Sequence, residues 1–520
     1  MNASMTSDKP NAWDSNQKKT FFVAAFAIVV GLFSFATAPY ILTAIGDDLG
    51  FSIDNANILR IAPPAASLLA VFIAGALGDA FGSKKVLLGG GLIYCLGVAI
   101  VLCSQSFGLI LTGRALEGIG GMLLRVVSLA LVAATFPTPA QRAIAFSGFA
   151  AVSPITQILG PSMAAPLAGL AGWRTVVGSW LVLGLLFVLT TNKVLAKDSS
   201  NNKPIEFTTP VLAGLALVLL SSAISAFQAS SRTALILLAI AILIIAALTT
   251  IINRLKTTAF DFTLPSQPGA IFVLIALASA NVADPIFFTA LFLQKQHNML
   301  IALTGITLIP MNVSSALGNL ISGPIIARIG AYRTVLTGFL ISAAIALSVF
   351  SIKPDTPMGV VVAIMSLFLL FKMMASPALL TTVMGLVPAR LAGVASSWRN
   401  AAQILGVAVG GVLVGSIVFN AFQESLATML DNSAMTTAQA DHIASLIRQG
   451  QRDLIPGDLQ TLSAASLKTL IHPDGPVINL AQVVGYRTLG PAMALANVVA
   501  CLALWISKRS QAAVRSQAND

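Results

Sequence analysis

A few charged side chains interrupt long apolar segments of the sequence, and they are the residues best placed to do chemistry. Arg114, Glu117 and Arg125 lie in one apolar segment, Asp284 in a second and Lys372 in a third. A charged side chain at bilayer depth is costly, so it usually faces a polar cavity or a partner of opposite charge. A carboxylate there can bind and release protons, and a cation can hold an anionic group.

Helical spacing relates the two arginines of the first segment. Arg125 follows Arg114 by eleven residues, and about 100° of rotation per residue returns it to within about 20° of the same direction. We therefore expect both side chains to face a central cavity and to contact the substrate. Glu117 can instead neutralise Arg114 as an ion pair three residues away, and the sequence leaves the structural and the transport interpretations open.

Asp284 and Glu117 are the expected proton-binding residues. Asp284 precedes Pro285, which removes a helical hydrogen bond and leaves backbone carbonyls open. Asp284 can pair with Lys372, which lies in the middle of its own apolar segment, or with Arg125 across the cavity. Gln157 is a further candidate for the cavity wall, with an interhelical hydrogen bond as the alternative interpretation.

The elements that hold these residues are membrane helices. The chain has 520 residues, of which 56% are hydrophobic and 9% are charged, and its mean hydropathy is +0.88. Soluble proteins carry about 25% charged residues, so this composition excludes a soluble enzyme. Apolar windows of about 20 residues, long enough to cross a bilayer, recur in the order six, two and six.

This order divides the chain into an all-α, polytopic membrane protein with two bundles. We expect a cytoplasmic tail at 1–20, a six-helix bundle at 21–195, a linker with two additional helices at 196–267, a second six-helix bundle at 268–507 and a tail at 508–520. The second bundle includes a polar loop at about 421–485. Lys and Arg concentrate in segments on the side of the N-terminus, which predicts that both termini are cytoplasmic and that this loop is outside.

The sequence has few features of a cofactor or nucleic-acid site. Its net charge is +11, but the basic residues are dispersed, which argues against nucleic acid. Its three histidines fall in predicted outside loops, and neither metal-ligand spacing nor a phosphate-binding loop is found. We expect no cofactor, and a proton gradient as the energy source. The expected partners are a small-molecule substrate and the lipid bilayer, with a periplasmic adaptor or an outer-membrane channel left open.

Short motifs at the helix ends carry a family resemblance. The turn after the second predicted helix reads GALGDAFGSKK from Gly75, Arg114 begins RALEGIGG, and the fifth predicted helix contains QILGP from Gln157. These segments resemble the loop between helices two and three, the helix-four arginine motif and the helix-five Gly-Pro motif of the major facilitator superfamily. The residues that match its conformational motifs are Gly75, Asp79, Gly82, Lys84, Gly160 and Pro161.

The six-two-six layout resembles the 14-helix drug:proton antiporter branch of that superfamily. The resemblance implies a transporter rather than an enzyme: a proton-coupled exporter of small organic compounds, working by alternating access in a bacterial inner membrane. That branch usually has an aspartate in the first helix, where this chain has Ser34. The excess of intramembrane cations leaves an anionic or zwitterionic solute as an alternative, and a non-transporting membrane sensor or assembly partner is the alternative of another class.

Overall fold

The computed structural model of the protein describes residues 13–38, 41–50, 53–196, 207–226, 231–254, 264–267, 269–282, 285–296, 299, 301–387, 391–431 and 483–517. Within these residues the regular secondary structure is helical. The first part contains α1 Ser15–Thr37, α2 Leu42–Leu49, α3 Ile53–Phe81, α4 Ser83–Cys103, α5 Phe107–Thr135, α6 Pro139–Ala171, α7 Trp173–Val194, α8 Thr208–Ala226 and α9 Ser231–Arg254.

The second part contains α10 Ala270–Ala280, α11 Pro285–Gln296, α12 Ile301–Thr307, α13 Ile309–Ile329, α14 Ala331–Leu347, α15 Met358–Met384, α16 Ala392–Asp431 and α17 Leu489–Gln517. Short 3-10 turns lie at Leu264–Ser266 and Ser348–Ser351. Among the described residues, eleven helices are long and apolar enough to cross a membrane, and α8 and α10 are shorter apolar helices. The protein is a polytopic α-helical membrane protein, as the composition predicts.

The two bundles repeat the same packing pattern. In the first bundle α5 packs against α3 and α4, and α4 packs against α7; in the second, α15 packs against α13 and α14, and α14 packs against α17. Glycines with positive φ make the equivalent turns, Gly82 between α3 and α4 (φ 87°) and Gly330 between α13 and α14 (φ 82°). Only glycine adopts this backbone region freely, so these positions fix two tight helix–helix turns.

The bundles meet along two seams, one between α3 and α16 and the other between α6 and α13. A Cβ atom on Gly75 would lie 2.8 Å from the carbonyl oxygen of Gly393, so the backbones of α3 and α16 are in close contact. On the other seam, a Cβ atom on Gly323 of α13 would lie 3.0 Å from Ile144 of α6. Small residues allow this approach of helices inside a membrane.

The additional helices lie outside these bundles. α8 packs against both α3 and α16, and α9 packs against α8. Only 11% of the apolar window of α9 is buried inside the protein. Such an apolar, outward-facing helix suits contact with lipid.

Several predicted spans are divided or displaced. The first apolar window of the second bundle is split into α10 and α11 before Pro285, and the next window is split into α12 and α13, with Pro310 in the first turn of α13. Proline lacks the donor that would continue a helix, which accounts for both breaks. The loop expected at 421–485 begins later, because α16 continues to Asp431; residues 432–482 lie outside the described part of the chain.

Candidate functional site

A cavity of about 350 Å³ lies between the two bundles. Its wall is built by α1, α5 and α6 of the first bundle and by α10, α11 and α13–α16 of the second. Three cations line it, Arg125 of α5, Lys372 of α15 and Arg399 of α16, and no acidic residue is among the described lining residues. Amide side chains accompany them: Gln157, Asn281, Asn312, Asn319, Asn400 and Gln403.

Arg125 is held by a close contact between α1 and α5. A Cβ atom on Gly31 would lie 3.1 Å from the carbonyl oxygen of Gly121 and 3.4 Å from Cγ of Arg125, so the arginine stem lies against α1. Its guanidinium lies 5.8 Å from the ring centre of Phe35, and Nη2 is 3.8 Å from the Met122 sulfur. Its Nε is buried without a hydrogen-bond acceptor. The described contacts therefore do not saturate the five donors of this side chain.

Arg399 reaches the same cavity from the other bundle. α16 begins at Ala392, so Arg399 is about two turns inside the helix. Nη1 lies 3.5 Å from Oδ1 of the neighbouring Asn400, and Nε is buried without an acceptor. The structure places this side chain in the cavity wall. The spacing of Arg399, Asn400 and Gln403, one polar face of a helix, was the available signal.

Lys372 completes the cationic part of the wall. Its side chain is buried, with 6% of its surface exposed, and Nζ lies 5.6 Å from the ring centre of Phe368 one turn earlier. Cation–π contact of this kind partly offsets the cost of burying the ammonium. Gln157 lines the cavity from α6.

Arg114 and Glu117 form a separate, neutral pair. Nη1 of Arg114 lies 2.5 Å from Oε2 of Glu117, and the two residues are 3% and 0% exposed. The guanidinium also lies 5.5 Å from the ring centre of Trp180, and Nε donates to the carbonyl oxygen of Leu59 at 3.4 Å. This environment accounts for both charges within the first bundle.

Neither Arg114 nor Glu117 is among the described residues that line the cavity, in contrast to the expectation for Arg114. Two side chains that point in the same direction from a helix can still lie at different depths in the membrane, because eleven residues advance the helix by about 16 Å. Arg114 lies about three turns from Arg125 along α5, where α3 and α7 cover it. Arg125 therefore reaches the cavity and Arg114 does not.

The predicted conformational motif lies at the α3–α16 seam. The Gly393 backbone N–H, in the first turn of α16, donates to Oδ1 of Asp79 at 3.2 Å, and a carboxylate there also interacts favourably with the helix dipole. Ser397 of α16 donates to the carbonyl oxygen of Val71 at 2.7 Å. Lys84 donates to the carbonyl oxygens of Asn192 and Leu195 at the end of α7. Asp79 thus joins the two bundles, whereas Lys84 acts within the first.

Of the helix-five motif, Gly160 sits against α1. A Cβ atom on it would lie 2.5 Å from Cβ of Ala36, so only glycine allows this contact. Pro161 lies in α6, and its side chain is outside the described set. Asp284 lies outside the described residues altogether. Ser34, the residue at the usual position of the first-helix acid, is fully buried in α1.

Metal-binding side chains do not cluster in the described part of the chain. No group of three or more His, Cys, Asp and Glu residues with a suitable arrangement is found there. The cysteines Cys95, Cys103 and Cys501 are free thiols.

Comparison with known proteins identifies relatives among resistance and export proteins. The chain is 28% identical over 360 residues to the methylenomycin A resistance protein of Bacillus subtilis, covering 68% of this chain and 77% of the relative. It is 27% identical over 422 residues to the tetracenomycin C resistance and export protein of Streptomyces glaucescens, covering 77% of each. It is 24% identical over 449 residues to the multidrug resistance protein Stp of Mycobacterium tuberculosis, covering 82% of each.

Solved structures share the fold. The human organic anion transporter MFSD10 superposes with a TM-score of 0.59 at 14% identity, over 93% of this chain and 99% of that chain. The proton:xylose symporter XylE superposes with a TM-score of 0.59 at 15% identity, over 94% and 95%. The family profile of the Major Facilitator Superfamily matches residues 23–411. Since this match spans well over half of the chain and the helices pack as two repeated bundles, the chain belongs to the Major Facilitator Superfamily, a family of membrane transporters.

Proposed function

We propose that the protein exports small organic compounds from the cytoplasm in exchange for protons. The names of its relatives support export, because they describe resistance proteins and, for the Streptomyces glaucescens relative, resistance and export. The proposal includes a bacterial inner-membrane location with both termini in the cytoplasm, which agrees with the distribution of Lys and Arg.

The observation that carries this proposal is the cavity between the bundles. Residues of both bundles line it, and its volume of about 350 Å³ is within the range of small-molecule sites. The bundles also contact each other through close glycine backbones at Gly75 and Gly393, a contact that can separate and re-form. Rocking of one bundle against the other would open a site of this kind to each side of the membrane in turn.

Proton coupling needs a group that binds and releases a proton during this cycle. The first helix offers Ser34 in place of the usual acid, so another carboxylate must act. Asp284 is our principal candidate, because the sequence places it between Asn281 and Pro285, which both line the cavity. Glu117 is a second candidate, but its ion pair with Arg114 favours a structural role.

The test uses the full chain in proteoliposomes with an imposed proton gradient. Flux of cationic, neutral and anionic aromatic compounds is measured together with proton movement reported by a trapped pH dye. We expect Asp284→Asn to abolish proton-driven flux while substrate counterflow, which needs no net proton transfer, continues. Asp355→Asn is the matched control, because Asp355 is exposed in the turn before α15.

Two results would contradict the proposal. Proton movement independent of every substrate tested would exclude exchange. Equal loss of proton-driven flux and counterflow in Asp284→Asn would assign Asp284 to structure or substrate binding, and parallel measurements on Glu117→Gln would then test the second candidate.

A further inference from the structure

The central cavity carries more positive charge than its described surroundings neutralise. Arg125 and Arg399 approach it from different bundles, and neither forms an ion pair with a described residue. Their polar contacts with described residues are long, 3.8 Å to a sulfur and 3.5 Å to an amide oxygen, and the Nε atom of each is buried without an acceptor. Both guanidinium groups therefore retain donors that a bound molecule can use.

Charge balance adds to this argument. Lys372 contributes a third cation to the wall. Asp284, which the sequence places between two lining residues, can contribute at most one negative charge. Even when Asp284 neutralises Lys372, Arg125 and Arg399 leave an excess of positive charge among the described lining residues, and burial of such an excess is unfavourable without a counter-charge.

The remaining wall indicates what kind of anion would fit. Besides the cations and amides, the cavity is lined by large apolar side chains, among them Phe149, Leu277, Phe339 and Leu369. An inorganic anion would leave this apolar surface unused. A compound with an aromatic or aliphatic body and one carboxylate or similar acidic group would use both parts of the wall.

We propose that the cavity is a binding site for organic anions, with Arg125 and Arg399 holding the acidic group from opposite bundles. A guanidinium offers paired N–H donors that match the two oxygens of a carboxylate, so the two arginines can share one acidic group between bundles. This inference rests on the proposed function, because it names the class of compound that the exporter would carry. A substrate held in this way would also link the two bundles.

The test is binding rather than transport, so that the two proposals can fail separately. Full-length protein in an uncharged detergent is dialysed against three radiolabelled probes with one aromatic body: 2-naphthoate, 2-naphthamide and 2-naphthyltrimethylammonium. We expect the carboxylate to bind about ten-fold or more tightly than the amide, as charge-assisted hydrogen bonds allow, and the ammonium compound to bind most weakly.

Variants then locate the site. Arg125→Gln and Arg399→Gln should each weaken naphthoate binding about ten-fold while naphthamide binding stays within about two-fold. Arg125→Lys retains the charge but not the paired N–H donors, so its affinity for naphthoate should lie between the affinities of Arg125→Gln and the parent. Arg333→Gln is the control, because Arg333 is exposed at the start of α14 and does not line the cavity. If the Gln variants do not fold, the probe series on the parent and on Arg125→Lys still decides the question.

Equal binding of all three probes, or preference for the ammonium compound, would overturn the inference. So would loss of naphthoate binding in Arg333→Gln to the same extent as in Arg125→Gln. A carboxylate preference without proton-driven flux in proteoliposomes would support this site and contradict the proposed export. Proton-driven flux without any carboxylate preference would support the proposed export and contradict this site.

Discussion

The Arg114–Glu117 pair inside the first bundle and the Arg125–Arg399 region of the central cavity place the same kind of side chain in different surroundings. Arg114 has a carboxylate at 2.5 Å, an indole ring and a backbone carbonyl, and it is 3% exposed. Arg125, on the same helix, has a thioether, a phenyl ring and an Nε without an acceptor. The difference indicates that the first charge is neutralised within the fold, whereas the second is left for a ligand.

The two bundles differ in a related way. Their helices pack in the same order, so α5 and α15 occupy equivalent positions, and each presents a cation to the cavity, Arg125 and Lys372. α5 also contains an ion pair within one helix, Arg114 with Glu117, whereas α15 has no acidic residue with which to form one. Repeated packing therefore does not imply repeated chemistry.

The largest expected effect is on the neutral pair. Glu117→Gln leaves a buried guanidinium without its counter-charge, which should lower the free energy of unfolding by about 3–5 kcal/mol. The measurement is denaturant unfolding of the purified protein in detergent micelles. The double variant Arg114→Leu with Glu117→Leu is the control and should recover most of the loss, because no charge remains buried. A stable Glu117→Gln protein that has lost proton-driven flux would break the comparison and make Glu117 a coupling residue.

The second prediction concerns the opposite case. Arg125→Met removes a charge that has no ion-pair partner among the described residues, so the free energy of unfolding should stay within about 1 kcal/mol of the parent or rise. The same unfolding experiment measures it, with Arg333→Met as an exposed control. Destabilisation as large as that of Glu117→Gln would show that Arg125 also has a structural partner, and the contrast between the two arginines would disappear.

The smallest effect is expected at an exposed ion pair, which sharpens the contrast with both buried regions. Asp48 accepts from Nη1 of Arg174 at 2.7 Å and from the Trp173 indole at 3.0 Å, and these two donors lower the pKa of its carboxyl group, the indole having the larger effect. Solvent and salt screen such a pair. Asp48→Asn should therefore lower Tm only slightly at neutral pH.

The pH dependence of this effect has a definite sign. The folded-state pKa of Asp48 is below its unfolded value of about 4, so its contribution is complete above about pH 4 and is lost as the pH falls through the folded-state pKa. Melting curves of the parent and Asp48→Asn at descending pH should converge in that acid range. A difference in Tm that persists at the lowest pH would mean that the variant acts through packing and not through charge.

Much of the fold was predictable because membrane insertion depends on local composition. Runs of about 20 apolar residues with few charges predict helices without knowledge of their neighbours. The turn motif around Gly82 depends on backbone geometry that glycine itself allows. The breaks before Pro285 and at Pro310 were not predicted, because an apolar window continues through a proline although the helix does not. The α16 boundary was less predictable, because its last residues, up to Asp431, are too polar for an apolar window but continue the helix.

The site was predictable only in part. The sequence identified the intramembrane charges, and helix periodicity gave their direction around the axis. Only tertiary packing determined that α3 and α7 cover Arg114 while Arg125, about 16 Å further along the same face, reaches the cavity. Packing also brought Arg399 beside Arg125 across 274 residues of sequence, since helix propensity and hydropathy contain no information about which distant helix lies opposite.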